Sequence, residues 1–194
     1  MDSREICQKL ESWLGSHPNA ALPIAAERLG LDREEIVKAL REFEGKSYDE
    51  FRQSLKLADA FRQLGADRTA PPGPWEKMRS GPRRIIPRTT VQYRIRGFWF
   101  FGKGYSKQCP LVDLSSGGMA FLADAAPSPG TRVSLLLKFP EKEEIRVEGN
   151  VVYAVASGVA GYRRRIGIQF LPFAERRGCN SPKVLDTLTQ VNSK

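Results

Sequence analysis

Apolar positions follow two different rhythms along this chain. Ile6, Leu10, Trp13 and Leu14 share one face at helical spacing, which predicts a helix over 3–14 that Pro18 ends. A short helix over 22–29 places Ala25, Ala26 and Leu29 inward, with Gly30 as its stop. Asp32, with Glu35 three residues on, is a reciprocal cap for a third helix over 33–43, whose buried face is Ile36, Ala39, Leu40 and Phe43. After Gly45, Ser47 and Glu50 repeat the cap for a fourth helix. Phe51, Leu55, Ala58 and Phe61 form its stripe, Leu57 and Leu64 widen it, and Gly65 closes it.

Beyond residue 90 the rhythm changes to alternation. Val91, Tyr93 and Ile95 take one face of a strand and Gln92, Arg94 and Arg96 the other. Strands are predicted over 91–97, 109–112, 118–122, 132–139, 145–155 (bent near Gly149) and 162–170. Phe98-Trp99-Phe100-Phe101 reads as strand core, with an exposed contact patch as the alternative. Ser181-Pro182 opens a last helix with Val184, Leu185, Leu188 and Val191 on one face. Six short strands with regular turns argue a small antiparallel barrel. The expected class is therefore α+β: an all-α bundle over 1–65, a linker over 66–82, and a six-stranded antiparallel barrel with a terminal helix over 83–194. Pro71, Pro72, Pro74 and Pro82 stiffen the linker, Arg68, Lys77 and Arg79 make it basic, and Trp75 is read as an anchor on either side.

Charge sharpens this division. The chain carries a net +9, yet residues 1–66 hold ten lysines and arginines against twelve acidic residues, a balance of −2. The remainder therefore carries +11, so an anionic partner is expected at the barrel or linker. Hydrophobic residues at 41% and charged residues at 27% fit a soluble globular protein. No apolar run reaches the length of a membrane span and no signal peptide opens the chain, so a cytoplasmic location is expected. Cys7, Cys109 and Cys179 are dispersed and His17 stands alone beside Pro18. Neither a disulfide framework nor a metal site follows, and no catalytic constellation is visible, so an enzyme is not expected.

Two clusters carry candidate chemistry. Arg83-Arg84-Ile85-Ile86-Pro87-Arg88 is extended or turning, because Pro87 drives Ile86 out of helical space. In an extended chain Arg84 and Arg88 would point the same way, roughly 13 Å apart at ~3.3 Å per residue. Each guanidinium fork could grip phosphate oxygens or the edge of a guanine. In Asp113-Leu114-Ser115-Ser116-Gly117-Gly118, Asp113 can accept from a guanine or hold an arginine. Ser115 and Ser116 offer hydroxyls, and Gly117 and Gly118 let main-chain amides face a phosphate. The plainer alternative is a solvated basic edge and an ordinary turn.

Both clusters, in this order and ahead of a β-rich segment, resemble the PilZ domain, a bacterial receptor for cyclic di-GMP. The family pattern Arg-x-x-x-Arg is met at Arg84 and Arg88, with Arg83 just before, and Asp-x-Ser-x-x-Gly at Asp113, Ser115 and Gly118. The resemblance covers residues 80–175. It implies a cyclic di-GMP site built from these residues with Gly117, a reorientation of the two parts on binding, and signalling through the helical part. Ligand is implied, cofactor and metal are not, and Arg83 leans toward a stacked pair of ligands. The segment 162–170 looks like the last strand of such a barrel. Its arginines, Arg165 among them, either neutralise ligand phosphates or are ordinary strand-face charges. Residues 25–64 resemble half of an AraC-type helix-turn-helix domain, but Glu34, Glu35 and Glu42 oppose a phosphate backbone. A protein partner is thus preferred. A nucleotide-responsive DNA regulator and a nucleotide-independent adaptor stand as alternatives.

Overall fold

The computed structural model describes residues 2–66, 85–95, 104–140 and 143–193. Arg83, Arg84, Trp75 with most of the expected linker, and the aromatic run 98–101 lie outside the described residues. The chain divides into two compact units, Met1–Arg62 and Gln63–Lys194.

The first unit holds α1 (Ser3–Ser16), α2 (Leu22–Leu29), α3 (Arg33–Ala39) and all but the last four residues of α4 (Tyr48–Ala66). Its core packs Ile6, Leu10 and Leu14 of α1 against Ala25, Ala26, Ile36, Ala39, Leu40, Tyr48 and Phe51. The reciprocal cap at α3 is formed: the Glu34 amide donates to Asp32 Oδ1 at 2.7 Å and the Asp32 amide to Glu35 Oε2 at 3.3 Å. At α4 the Ser47 amide and hydroxyl both donate to Glu50, which lowers that carboxyl below its ordinary pKa. Gly30 and Gly45 stop their helices in the left-handed region, at φ 63° and 64°. Arg52 and Tyr48 donate to the Ala20 carbonyl, and Lys56 Nζ donates to Asn19 Oδ1, so α4 clamps the loop between α1 and α2.

Three expectations here need correction. Phe43 is 50% exposed, because α3 widens into a π-turn at Leu40–Glu44 that rotates position 43 off the buried face. In α4, Ala58 is exposed while Ala60 and Lys56 are buried, so the stripe is displaced from the predicted line. The helix also runs through Gly65 to Ala66 rather than closing there.

The second unit is a closed antiparallel barrel. Its strands are β1 (Thr90–Ile95), β2 (Cys109–Leu114), β3 (Gly118–Ala123), β4 (Arg132–Lys138), β5 (Ile145–Ala156) and β6 (Arg164–Phe170), ordered β1-β2-β3-β6-β5-β4. Closure leaves no open sheet edge. Inward residues such as Val91, Leu111, Phe121, Leu135, Val147, Ile166 and Ile168 fill the interior. The terminal helix α5 (Pro182–Ser193) drives Leu188 fully into that core, with Val184 packed beside it. Ahead of it, Asn180 is a pin: its side chain accepts from the Glu148 amide and donates to the carbonyls of Glu148 and Leu171.

The α+β architecture is as expected, with one change of detail. The irregularity in β5 lies between Val151 and Tyr153, not at Gly149. A second one interrupts β2 between Leu111 and Asp113.

Tyr93 donates to the Ala125 carbonyl at 2.8 Å. Burial, then the nearby Cys109 and Asp124, push its phenol up to about 12. Its contribution to stability is therefore complete below the unfolded value near 10 and is lost as pH climbs toward 12. Chemical denaturation at about pH 8 and about pH 11 should show a larger alkaline loss for wild type than for Tyr93→Phe.

Candidate functional site

The two strand irregularities explain one another. Leu111 and Leu114 both face the core although two residues separate them, which strict alternation forbids. The bulge absorbs Val112, so Leu111 pairs with Phe121, Asp113 with Ala120 and Leu114 with Met119. Asp113 is thereby turned to the outer face. β5 repeats the device: Val152 is the extra residue, Val151 pairs with Ile168 and Tyr153 with Gly167. Since Ala120 also pairs with Gly167, the chain makes one lateral row across four strands: Asp113, Ala120, Gly167, Tyr153. Directly opposed residues share a face, so this row lies outside the barrel.

The middle of the row is low. Ala120 offers a methyl and Gly167 nothing, and a Cβ at position 167 would lie 2.0 Å from the Tyr153 ring. The ring therefore sits directly on the Gly167 backbone. At the other end Asp113 is buried to 7%, with its carboxylate held by Arg165 of β6. Arg165 Nη2 donates to Asp113 Oδ2 at 3.0 Å. Arg165 pairs in register with Leu122 and Val155, one outer row along, so it reaches diagonally to the carboxylate. Its Nε is buried without a hydrogen-bond partner among the described residues.

The serine and glycine cluster forms the tight connection from β2 to β3. The Ser115 amide donates to the Gly118 carbonyl at 2.8 Å, and the Ser115 hydroxyl donates to the same oxygen at 3.1 Å. Ser115 is buried, whereas Ser116 and Gly117 are exposed at the tip. The Gly117 carbonyl accepts from the Phe170 amide, tying the tip to β6. Neither Gly117 nor Gly118 has a left-handed φ. What requires glycine at 118 is close approach, since a Cβ there would lie 2.2 Å from the Ile168 carbonyl oxygen.

At Arg88 the chain turns rather than extends, one of the two expected conformations. The residue sits in a turn after Pro87 with φ 58°, the one positive φ outside glycine among the described residues. A non-glycine residue held there costs about 1–2 kcal/mol. Beyond it, the Thr89 carbonyl accepts from the Leu111 amide at 3.0 Å, so the exposed Arg88 leaves the sheet beside β2 and close in register to Asp113. The structure thus gathers Asp113, Ser115, Ser116, Gly117 and Gly118 at one end of β2 and β3, with Arg88 at the adjoining end of β1, while Arg165 reaches Asp113 from the opposite end of β6, where it pairs with Leu122. Arg83 and Arg84 lie outside the described residues. Sequence reasoning passed over Tyr153, Ala120 and Gly167. The readable signal was the broken alternation at Leu111-Val112-Asp113-Leu114 and Val151-Val152-Tyr153. Among the described residues no group of three or more metal-ligating side chains comes together, and no helix is long and apolar enough to cross a membrane.

Residues 79–178 match the family described as PilZ domain. Among solved structures, the chain is similar to Escherichia coli YcgR in complex with c-di-GMP, at 19% identity and a TM-score of 0.45, covering 59% of this chain and 44% of that one. It is similar to the Bacillus subtilis inhibitor of motility MotI/DgrA, at 17% identity and 0.41, covering 59% and 51%. It is also similar to K. pneumonia MrkH in its apo state, at 15% identity and 0.45, covering 59% and 50%. The match spans about half the length of each of these proteins. No curated protein matches the chain.

The two glycines at the tip should respond differently to the same change. Gly118→Ala must part β3 from β6 and should cost about 2–4 kcal/mol, in the range of overpacked sites. Gly117→Ala, with nothing within 4 Å of the added carbon, should stay within about 0.5 kcal/mol. Urea unfolding of both variants measures the difference.

Proposed function

The chain belongs to the PilZ domain family, and on that premise we propose that it is a cyclic di-GMP receptor that signals through its helical unit. The observation that carries this reading is the outward carboxylate of Asp113, turned from the core by a bulge and set at the end of a low row beneath the Tyr153 ring. Cyclic di-GMP brings two flat guanines and two phosphates. Asp113 accepts from a guanine ring N–H and amino group. Tyr153 supplies a planar face for a base, a contact worth about 1–3 kcal/mol. The exposed Ser116 and Gly117 at the tip meet a phosphate, while Ser115 and Gly118 shape the tip. Arg83, Arg84 and Arg88 clamp base edges and phosphates from the β1 side. The charge surplus of the second unit favours the dianion over the helical unit's own surface.

On this reading the arm bearing the three arginines closes over the ligand. The same arm continues into the segment that joins the two units, so binding biases their arrangement to the extent that the ligand favours one arrangement. The exposed Glu34, Glu35 and Glu42 support a protein partner for the helical unit rather than DNA.

Isothermal titration with cyclic di-GMP tests the proposal. Arg88→Ala and Asp113→Ala should each weaken binding roughly ten- to hundredfold, the scale of a lost charged hydrogen bond. Tyr153→Ala should weaken it by at least about tenfold while Tyr153→Phe retains it. Absence of binding by the wild-type protein would remove the receptor reading.

A further inference from the structure

Arg165 is not accounted for by phosphate neutralisation. Its side chain is 22% exposed and is committed through Nη2 to Asp113, whose own side chain is 10% exposed. The adjoining Nε is buried and has no hydrogen-bond partner among the described residues. Nε–H and one of the two Nη2 hydrogens lie along one edge of the guanidinium fork and point the same way. In the common bidentate pair both would bind one carboxylate. Here only Nη2 bonds to the Asp113 carboxylate, and the second donor of that edge lies buried.

A donor next to an acceptor is a recognition element. The Watson–Crick edge of guanine presents the acceptor O6 beside the donors N1–H and N2–H. That of adenine presents a donor at N6 beside the acceptor N1. A base lying against Asp113 with its N1–H and amino group on the carboxylate brings O6 next to N1, on the side where Arg165 stands. We infer that Arg165 is a specificity-determining residue: its Nε–H donates to guanine O6 while Asp113 accepts from N1–H and N2–H. The inference rests on the receptor reading above and names the base-reading pair within it. Adenine in the same place sets donor against donor and acceptor against acceptor, and unpaired buried polar groups are what make such sites selective.

The test is titration of the full chain with cyclic di-GMP, cyclic di-IMP, which keeps O6 and N1–H, and cyclic di-AMP. Wild type should bind the first two and discriminate against the third. Arg165→Ala should lose roughly ten- to hundredfold toward cyclic di-GMP and cyclic di-IMP alike, with no matching loss toward cyclic di-AMP. Arg165→Lys restores a charge opposite Asp113 without the Nε donor, so it should not restore affinity. Thermal unfolding establishes that each variant is folded, and Arg165→Gln replaces Arg165→Ala if that variant is not. Full rescue by Arg165→Lys would reduce Arg165 to a support for Asp113 and overturn the inference. An unchanged preference for guanine in the folded alanine or glutamine variant would overturn it as well. A wild-type protein that binds none of the three overturns the receptor reading itself, a different result from a binding wild type with indifferent variants.

Discussion

Alternation in a closed barrel leaves little choice about which side chains face out, and here two inserted residues settle the matter. Were β2 regular, Val112 would oppose Ala120 and Asp113 would fall on the interior face among Leu111, Phe121 and Met119. An unpaired carboxylate there would cost several kcal/mol or stay protonated. The bulge removes that conflict by one step of register. The step in β5 does the same for Tyr153, whose ring would otherwise compete with Val151 and Ile166 for core volume. Both steps fall next to the same outer row, so the outward placement of Asp113 and Tyr153 is a product of the packing of the interior.

The carboxylate on that row is still mostly removed from solvent, and the Arg165 guanidinium helps to balance its charge. Removing Arg165 takes away a charged partner of a largely buried carboxylate, which is destabilising. The pair couples two strands that meet only through β3, which lies between them in the barrel order. Close backbone approach acts at the other end of β6. Gly118 lets β3 lie against the Ile168 carbonyl, and the amide of Phe170 caps the Gly117 carbonyl. The tip of β2 and β3 is therefore held to β6 by contacts that involve no ligand.

How far the sequence could be read follows from which interactions are local. Helix caps at Asp32 and Ser47, the stops at Gly30 and Gly45, and the six strands are all set by neighbours within a few residues, and all are found. The π-turn that exposes Phe43 and the shift of the α4 stripe depend on how helices pack, which periodicity does not encode. In the site, Asp113 and the serine-glycine turn were legible as a motif. The Tyr153 and Gly167 pairing was not, because it needs the order of strands and a bulge in each of two. Gly118 was legible as glycine but for the wrong reason: its constraint comes from Ile168, fifty positions away in the chain, and not from its own dihedral angles.

The turn at Pro87-Arg88 brings these threads to one point. Thr89 enters the barrel by pairing with Leu111, the last residue before the β2 bulge. Arg88 is held in a left-handed conformation just outside that pairing. A residue in that conformation is tolerated when its surroundings over-determine it, and here Pro87 sets one side and the Thr89 bond the other. The direction in which the chain leaves the barrel is thus coupled to the same segment of β2 that turns Asp113 outward. A ligand that bonded to both Arg88 and Asp113 would bridge the exit of the chain and the bulge, so the arm and the rim would respond to it as one element.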